Sequence, residues 1–377
     1  MWFDIGGACT LALAPGARPV LAGAVTAAFA PYPPQVDQPA TVGVSIKATS
    51  LIPEFQDIEN PAGDGLVTAY DGERAYILRG RDACVVPDPL CDSPATFAYS
   101  TGFPMHDIVR SYVRTAVAVA ALRTEAVVVH ASAVSINGRA ILIGGWSESG
   151  KTEIALALAE AGAEFLSDKW TIVRPDGSVC PFPASVGIRR WVLPYVPTVR
   201  SALPRAAKAQ LLGAGVASLL SRPLGRPFRN PILREAGSRS AELVALADRA
   251  ALSVAQVRAA YGTVGDVTRP VPLGLVVLLS TAAPDVRPAA MPVDAGIVAE
   301  RLARAAAFER RTYFSVTERV RYGGASGDRT DGQAVARLEE TLLRTRFSHT
   351  DLLQIRTPFP SDPRLAAESI LESLRSL

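Results

Sequence analysis

The strand, loop and helix around residues 139–161 constrain this chain more than any other feature. Arg139–Gly144 (RAILIG) is typical of a buried strand, and it runs directly into the loop Gly145–Thr152 (GWSESGKT). A helical pattern follows over Glu153–Ala161 and ends at Gly162. The loop has the spacing G-x-x-x-x-G-K-[ST], and a strand before it with a helix after it is the setting in which such a loop binds phosphate. We therefore predict a nucleotide site.

Each part of this loop has a physical role in that prediction. Glycines allow the tight turn, successive backbone N–H groups wrap an anion, and the positive end of the helix dipole adds to the attraction. Lys151 is expected to reach the β- and γ-phosphates, and the Thr152 hydroxyl to ligate Mg²⁺. Glu148 stands where many such loops have glycine, so a weaker, strained site and an outward-pointing carboxylate both remain open. The predicted nucleotide-binding residues are Gly145, Trp146, Ser147, Glu148, Ser149, Gly150, Lys151, Thr152 and Glu153.

The first 103 residues are predicted to be β-rich. Thr41–Ala48 alternates apolar and polar residues, and Leu66–Leu78 does the same around a turn at Asp71-Gly72, which indicates a hairpin. A helical pattern runs from Met105 to about Arg123. Residues 104–377 are expected to form a second region, with a helical, arginine-rich insertion at about 200–265 that includes a helix over Ala202–Ser221.

The second region is predicted to alternate strands and helices. Asn137-Gly138 joins the strands Ala126–Ser135 and Arg139–Gly144, which predicts a type I′ hairpin. The apolar run Leu273–Leu279 reads as a buried strand. Phe165-Leu166 is expected to be a short strand, and the ranges 235–262, 294–315, 330–345 and 363–376 are expected to be helical.

Composition narrows the class of protein without naming a partner. The formal net charge is only +3, and no run of about 18 uncharged apolar residues predicts a membrane span. The N-terminus lacks a basic segment typical of a secretory signal, so a cytoplasmic protein is expected. The four cysteines match no zinc spacing. Only four of the 39 basic residues are lysines, which draws attention to Lys151 and Lys169.

The order of motifs around the loop resembles a known family. His130-Ala-Ser-Ala-Val134, the hairpin, the phosphate loop and Leu166-Ser167-Asp168 follow one another as in the HPr kinase/phosphorylase superfamily. Within that superfamily, the sequence resembles more closely the HPr-kinase-related proteins found beside ribosomal-peptide biosynthesis genes, including lasso-peptide kinases. The resemblance covers about residues 105–190 and is loose in the C-terminal third.

This resemblance implies a fold and an activity. The fold is an α/β P-loop kinase core, HPr kinase-like and PEP-carboxykinase-like, following the β-rich N-terminal region. The activity is transfer of phosphate from ATP, with Mg²⁺, to a serine or threonine hydroxyl of a peptide or protein. The family also forms ring-like assemblies, so a homo-oligomer is possible. Two alternatives remain open: a nucleotide-binding accessory protein without transfer activity, and a small-molecule kinase.

The family's functional positions transfer only in part. His130 matches the active-site histidine, Glu153 matches the acid after the Lys-Ser pair, and Asp168 matches the first of two aspartates, which can bind Mg²⁺. The second aspartate, the family's general base, is Lys169 here. Three readings stay open: Asp168 acts as base alone, Lys169 stabilises the transferring phosphoryl group, or nothing is transferred.

A basic block follows the site residues. Residues 177–234 contain no Asp or Glu but nine basic residues, which would attract an anionic partner such as an acidic peptide. Few aromatic residues accompany them, which disfavours nucleic acid. Within this block, Arg189 or Arg190 is a candidate to hold phosphate bidentately, and a solvated pair is the alternative. The block offers no counterpart of the family's Mg²⁺-binding glutamate.

Overall fold

The computed structural model describes residues 1–37, 39, 41–50, 55, 57–59, 67–221, 248–322 and 329–376. These residues form a mixed α/β protein with two large sheets and one two-stranded sheet. The predicted α/β class is confirmed at this level. None of the helices in the described ranges is long and apolar enough to cross a membrane.

The N-terminal region is an eight-stranded mixed sheet. Its spatial order is β1-β2-β3-β8-β7-β6-β5-β4. The predicted hairpin is confirmed, since β5 and β6 pair antiparallel across the turn at Asp71-Gly72. A helix, α1 (Pro19–Phe29), was not predicted; it begins with proline, which suits a first helical turn. The strands are β1 (Trp2–Ile5), β2 (Cys9–Leu13), β3 (Val44–Thr49), β4 (Asp57–Glu59), β5 (Val67–Tyr70), β6 (Ala75–Arg79), β7 (Asp82–Val86) and β8 (Ala95–Ser100).

The helical segment that follows is irregular. The pattern over Met105–Arg123 predicts one helix, but the chain forms α2 (Met105–Ile108), a π-helical turn (Val109–Val113), α3 (Arg114–Ala120) and a 3₁₀ turn (Ala121–Thr124). The π turn inserts one extra residue and so rotates the side chains that follow it, a feature often found at functional sites.

The second large sheet carries the predicted loop. Its strands β11, β17 and β19 are parallel neighbours, and β10 pairs antiparallel with β11. Asn137 and Gly138 have φ of 52° and 76°, as the predicted type I′ turn requires. The strands are β9 (Val127–Val129), β10 (Ala131–Ile136), β11 (Arg139–Gly145), β12 (Glu164–Ser167), β13 (Thr171–Val173), β14 (Ser178–Pro181), β17 (Val271–Thr281), β18 (Ala289–Pro292) and β19 (Asp351–Thr357); β15 (Val186–Arg189) and β16 (Arg249–Leu252) form the small sheet.

The chain crosses between two groups of paired strands at two places, and these two crossings lie side by side. The predicted single strand Ala126–Ser135 is wrong, because it breaks at His130: β9 pairs with β13, whereas β10 pairs with β11 and β12. The chain breaks again between β12 and β13, at Asp168–Trp170. Thr171 Oγ1 donates to Ala131 O at 3.0 Å and ties the two crossings together. His130 and Asp168–Trp170 therefore lie at one seam.

Helices cover both faces of this sheet. Three predictions of helices need correction. The helix predicted over Ala202–Ser221 is divided by a break at Leu203-Pro204, and the helix predicted over 294–315 is divided at Arg310. Residues 249–252, within the range predicted to be helical over 235–262, are a strand. Residues 222–247 of the predicted insertion lie outside the described residues. The helices are α4 (Lys151–Glu160), α5 (Pro197–Ala202), α6 (Arg205–Ser221), α7 (Val254–Ala260), α8 (Ala295–Glu309), α9 (Arg311–Tyr322), α10 (Gly332–Phe347) and α11 (Pro363–Ser376), with a 3₁₀ helix at Arg190–Tyr195.

Alternating residues of the parallel strands bury against different helices. Leu142 and Leu278 belong to a cluster that includes Leu302 of α8 and extends to Phe3 and Phe97 of the N-terminal sheet. Ile141 and its neighbours on the opposite face pack in a second cluster with α4 and α11. The loop at the end of β11 is thus held between two packed layers, which positions it rigidly.

Candidate functional site

The predicted phosphate loop connects β11 directly to α4. Glu148 and Gly150 have φ of 62° and 93°, a left-handed region that glycine enters freely and other residues enter at a cost of about 1 kcal/mol or more. No side chain caps the N-terminus of α4. The cap residue, Gly150, therefore offers no side-chain acceptor to the first turn, as suits a helix whose N-terminus binds phosphate.

Lys151 is buried and folded back onto the loop. Its Nζ donates to Gly145 O at 3.1 Å and to Trp146 O at 2.6 Å. Burial lowers the pKa of Lys151 to about 8, although the carboxylates of Asp168, Glu309 and Glu153 oppose this effect. The ammonium is held by neutral carbonyls alone, so an anion in the loop would be a stronger partner.

Asp168 joins the loop to the neighbouring strands. Its Oδ1 accepts hydrogen bonds from Thr152 Oγ1 at 2.8 Å and from Ser132 Oγ at 2.6 Å. Asp168 is only 1% exposed, and its Oδ2 has no hydrogen-bond partner among the residues that the structure describes. Burial of a carboxylate oxygen without a hydrogen-bond partner costs free energy of folding unless a bound ligand supplies the missing interaction. Sequence reasoning placed Thr152 and Asp168 together but missed Ser132, which is two residues after His130 on β10.

His130 lies at the seam between the two sets of strands. Its ring packs edge-on against Trp170, with centroids 5.2 Å apart, and its Nδ1 is buried without a partner. Burial, together with Lys151, Lys169 and Arg310, lowers the pKa of His130 to about 2. The imidazole is therefore neutral at physiological pH and can donate or accept a hydrogen bond, but it supplies no positive charge.

Lys169 follows Asp168 at the seam. Its backbone is left-handed, with φ of 64°, and its side chain is 41% exposed. Nζ lies 3.8 Å from Oε2 of Glu309, the last residue of α8. Sequence reasoning missed Glu309, because nothing in its own neighbourhood marks it and only the packing of α8 brings it to the loop.

The remaining candidates divide between the loop and the surface. Glu148 is largely exposed, and its carboxylate pairs with Arg189 at the rim of the loop cavity that both residues line. Arg189 lines the loop cavity, whereas Arg190 lies away from it and bonds Asp248 at 2.9 Å. Glu153 is buried beside the loop, and burial raises the pKa of its carboxyl group.

Trp146 and Ser147 lie at the start of the loop. Trp146 is half-exposed and stacks at an angle on Phe308, with ring centroids 4.8 Å apart. Ser147 lines the loop cavity together with the buried Ser149, whose Oγ has no hydrogen-bond partner. Two unpartnered oxygens, of Ser149 and Asp168, therefore lie in or beside one loop.

Two cavities meet at the loop. The first, of about 110 Å³, is lined by the loop, His130, Lys169, Arg189 and Glu309 among others. The second is larger, about 470 Å³, and shares Lys169 and Glu309 with the first. Lys169 and Glu309 thus stand at the boundary between a phosphate-sized cavity and a ligand-sized one.

These residues fit a nucleotide with its metal ion. Across the described part of the chain, no group of three or more His, Cys, Asp or Glu could hold a metal by itself. Mg²⁺ on a phosphate loop needs less, since one hydroxyl, one carboxylate, phosphate oxygens and waters complete its shell. Thr152 Oγ1 and the free Oδ2 of Asp168 are oxygen donors of this kind, and they lie at the same loop.

Compared with known proteins, the chain matches no family model, and no curated protein matches it significantly.

Proposed function

We propose that the protein is an ATP-dependent phosphotransferase of the HPr kinase-like type, which transfers a phosphoryl group to a hydroxyl of a peptide or protein. The observation that carries the proposal is the bond between Thr152 of the loop and the buried Asp168, which leaves one carboxylate oxygen free. A hydroxyl and a carboxylate brought together at a phosphate loop are the ligands that kinases and related NTPases use for Mg²⁺.

Each residue then has a defined part. The N–H groups of the loop hold the phosphates, and the Lys151 ammonium leaves the carbonyls of Gly145 and Trp146 for phosphate oxygens. Thr152 and Asp168 hold Mg²⁺, which, when bound, neutralises charge on the phosphates. His130 stays neutral and offers a hydrogen bond beside the transferred group.

The carboxylate that activates the acceptor hydroxyl needs a separate assignment, because Lys169 stands where the resembled family has its general base. Asp168 already accepts bonds from Ser132 and Thr152, so its remaining oxygen is committed to the metal in this proposal. Glu309 lines both cavities and faces Lys169. We assign Glu309 the role of accepting the acceptor's proton, and Lys169 the roles of orienting Glu309 and stabilising the transferring phosphoryl group.

A second function, nucleotide binding without transfer, is favoured by Lys169, which stands where the resembled family has its base, and by Glu148, a non-glycine residue within the loop. Both functions require nucleotide binding, and they differ in whether Glu309 matters for turnover. Loss of Glu309 would leave an accessory protein unchanged.

The test combines binding with transfer. Titration calorimetry would measure ATP with Mg²⁺ on the wild type and on Lys151→Ala, and mass spectrometry would detect phosphate on serine-containing peptides. We expect Lys151→Ala to lose binding, and Glu309→Gln to bind ATP normally but to lose at least about 100-fold in turnover. Glu300→Gln, an exposed site on the same helix, is the matched control. Binding without phosphate transfer to any peptide would contradict the kinase proposal.

A further inference from the structure

The larger cavity beside the phosphate loop is lined mainly by basic and polar side chains. It lies between the irregular helical segment and the seam, and its basic residues are Arg110, Arg114, Lys169 and Arg310. Asp107 and Glu309 are the acids among its lining residues. The cavity therefore has an excess of positive charge where an acceptor would approach the loop.

Most of these charges already have partners. Arg310 is paired with the buried Glu339, Lys169 with Glu309, and Asp107 with Arg79 at 2.5 Å. In the ranges that the structure describes, neither acid of the cavity pairs with Arg110 or Arg114. The two arginines that remain are the ones on the helical segment.

Arg114 is the less accessible of the two. Its Nε is buried, and no described residue forms a hydrogen bond with it. Burial, together with the adjacent charge of Arg110, lowers the pKa of Arg114 to about 10. A half-buried guanidinium that lies next to another cation, and whose Nε–H lacks an acceptor, is stabilised when an anion binds it.

The helical segment holds the pair in place. Arg110 lies in the π-helical turn and Arg114 begins α3, so the irregularity sets the angle between the two side chains. The residues around the turn, Ile108, Val109, Tyr112 and Val113, are buried and fix the backbone. The guanidinium groups are thus presented by a rigid element, as bidentate recognition of a planar oxyanion requires.

We propose that this cavity is the acceptor subsite, and that Arg114 and Arg110 bind a carboxylate or phosphate group of the acceptor. The acceptor hydroxyl then reaches Lys169 and Glu309 at the boundary with the loop cavity. A volume of about 470 Å³ holds a small molecule, or the terminus or a side chain of a peptide, rather than a folded surface. This proposal rests on the phosphotransferase function proposed above and adds the chemistry of its substrate.

Simple probes separate charge from hydroxyl recognition. Glycerol 3-phosphate, glycerate and glycerol share hydroxyl groups and differ in the oxyanion. Calorimetric titrations would use the full chain carrying Lys151→Ala, in which the loop lysine is absent, so that a phosphate probe reports the second cavity. We expect at least one oxyanion to bind and glycerol not to bind. Binding of the phosphate alone, or of the carboxylate alone, identifies which group the site selects.

Arginine variants then locate the binding. Arg114→Met is expected to weaken oxyanion binding by at least about tenfold, because it removes charge-assisted hydrogen bonds. Arg304→Met, at an exposed site on α8, should bind as the parent does. If Arg114→Met does not fold, as judged by circular dichroism, Arg110→Met decides, since Arg110 is exposed and its replacement leaves the core intact.

Three results would overturn the proposal. These are binding of neither oxyanion, equal binding of glycerol, or oxyanion binding that survives replacement of both arginines. A separate titration uses the wild type saturated with a non-hydrolysable ATP analogue. The oxyanion must still bind there, because loss of its binding in the presence of the analogue would place the oxyanion site in the phosphate loop and overturn the proposal. Failure of ATP binding in the wild type would instead refute the phosphotransferase function, whatever the oxyanion titrations show.

Discussion

In the proposed nucleotide site, the buried Lys151 should make the affinity for ATP depend on pH above about pH 8. Its ordinary pKa is 10.5, and burial lowers it to about 8 in the nucleotide-free protein. Bound phosphate favours the ammonium and restores the higher pKa, so binding must take up a proton above pH 8. From these two values, the affinity for ATP at pH 9.5 should be about 30-fold weaker than at pH 7, or about 2 kcal/mol.

Calorimetry in buffers of different ionisation enthalpy measures both the affinity and the proton uptake. Lys151→Arg is the matched control, because its guanidinium stays charged and its affinity should not change over the same range. The free energy of unfolding of the nucleotide-free protein should rise with pH, whereas the affinity for ATP falls. The unfolded chain binds more protons between pH 8 and 10.5, so the nucleotide-free wild type gains stability there relative to Lys151→Met. An affinity constant within twofold from pH 7 to 9.5, without proton uptake, would refute this reasoning.

Three further predictions concern the residues around the loop and the core. Asp168→Asn should abolish the dependence of nucleotide affinity on Mg²⁺; titrations with and without the metal check this, and an unchanged dependence would contradict Asp168 as a ligand. Arg310→Met leaves Glu339 buried without its partner and should lower the free energy of unfolding by about 3–5 kcal/mol in urea denaturation, whereas a loss below about 1 kcal/mol would show that the pair is not isolated from water. Gly150→Ala should destabilise the protein by about 1–2 kcal/mol because of its φ of 93°, and Gly213→Ala, in the open on α6, should be neutral or stabilising; equal effects would contradict the strain argument.

Local patterns were sufficient wherever the structure depends on neighbouring residues. The hairpin at Asn137-Gly138, the strand and helix that flank the loop, and the terminal helix Pro363–Ser376 each carry their own turn or periodicity signal. The meeting of Thr152 with Asp168 was also predictable, because both follow strands of one sheet, β11 and β12, which flank β10.

Long-range packing decided the rest. The strand-like pattern over Ala126–Ser135 gave no sign that the chain changes partners at His130, because strand propensity does not reveal which strand is the neighbour. Glu309 reaches the site only through the docking of α8, and Arg190 is drawn away by Asp248. Helix α1 was not predicted, because patterns typical of strands dominate the N-terminal region in which it lies.

The cluster that joins Phe3 and Phe97 to Leu302 and Phe347 has a consequence for how the chain unfolds. Buried side-chain bonds reinforce it, since Tyr32 Oη donates to Pro181 O at 2.7 Å and Tyr313 Oη donates to Pro87 O. The N-terminal sheet and the loop-bearing sheet should therefore melt in one cooperative transition. A fragment that begins after residue 103 would expose this apolar surface and aggregate rather than retain a nucleotide site.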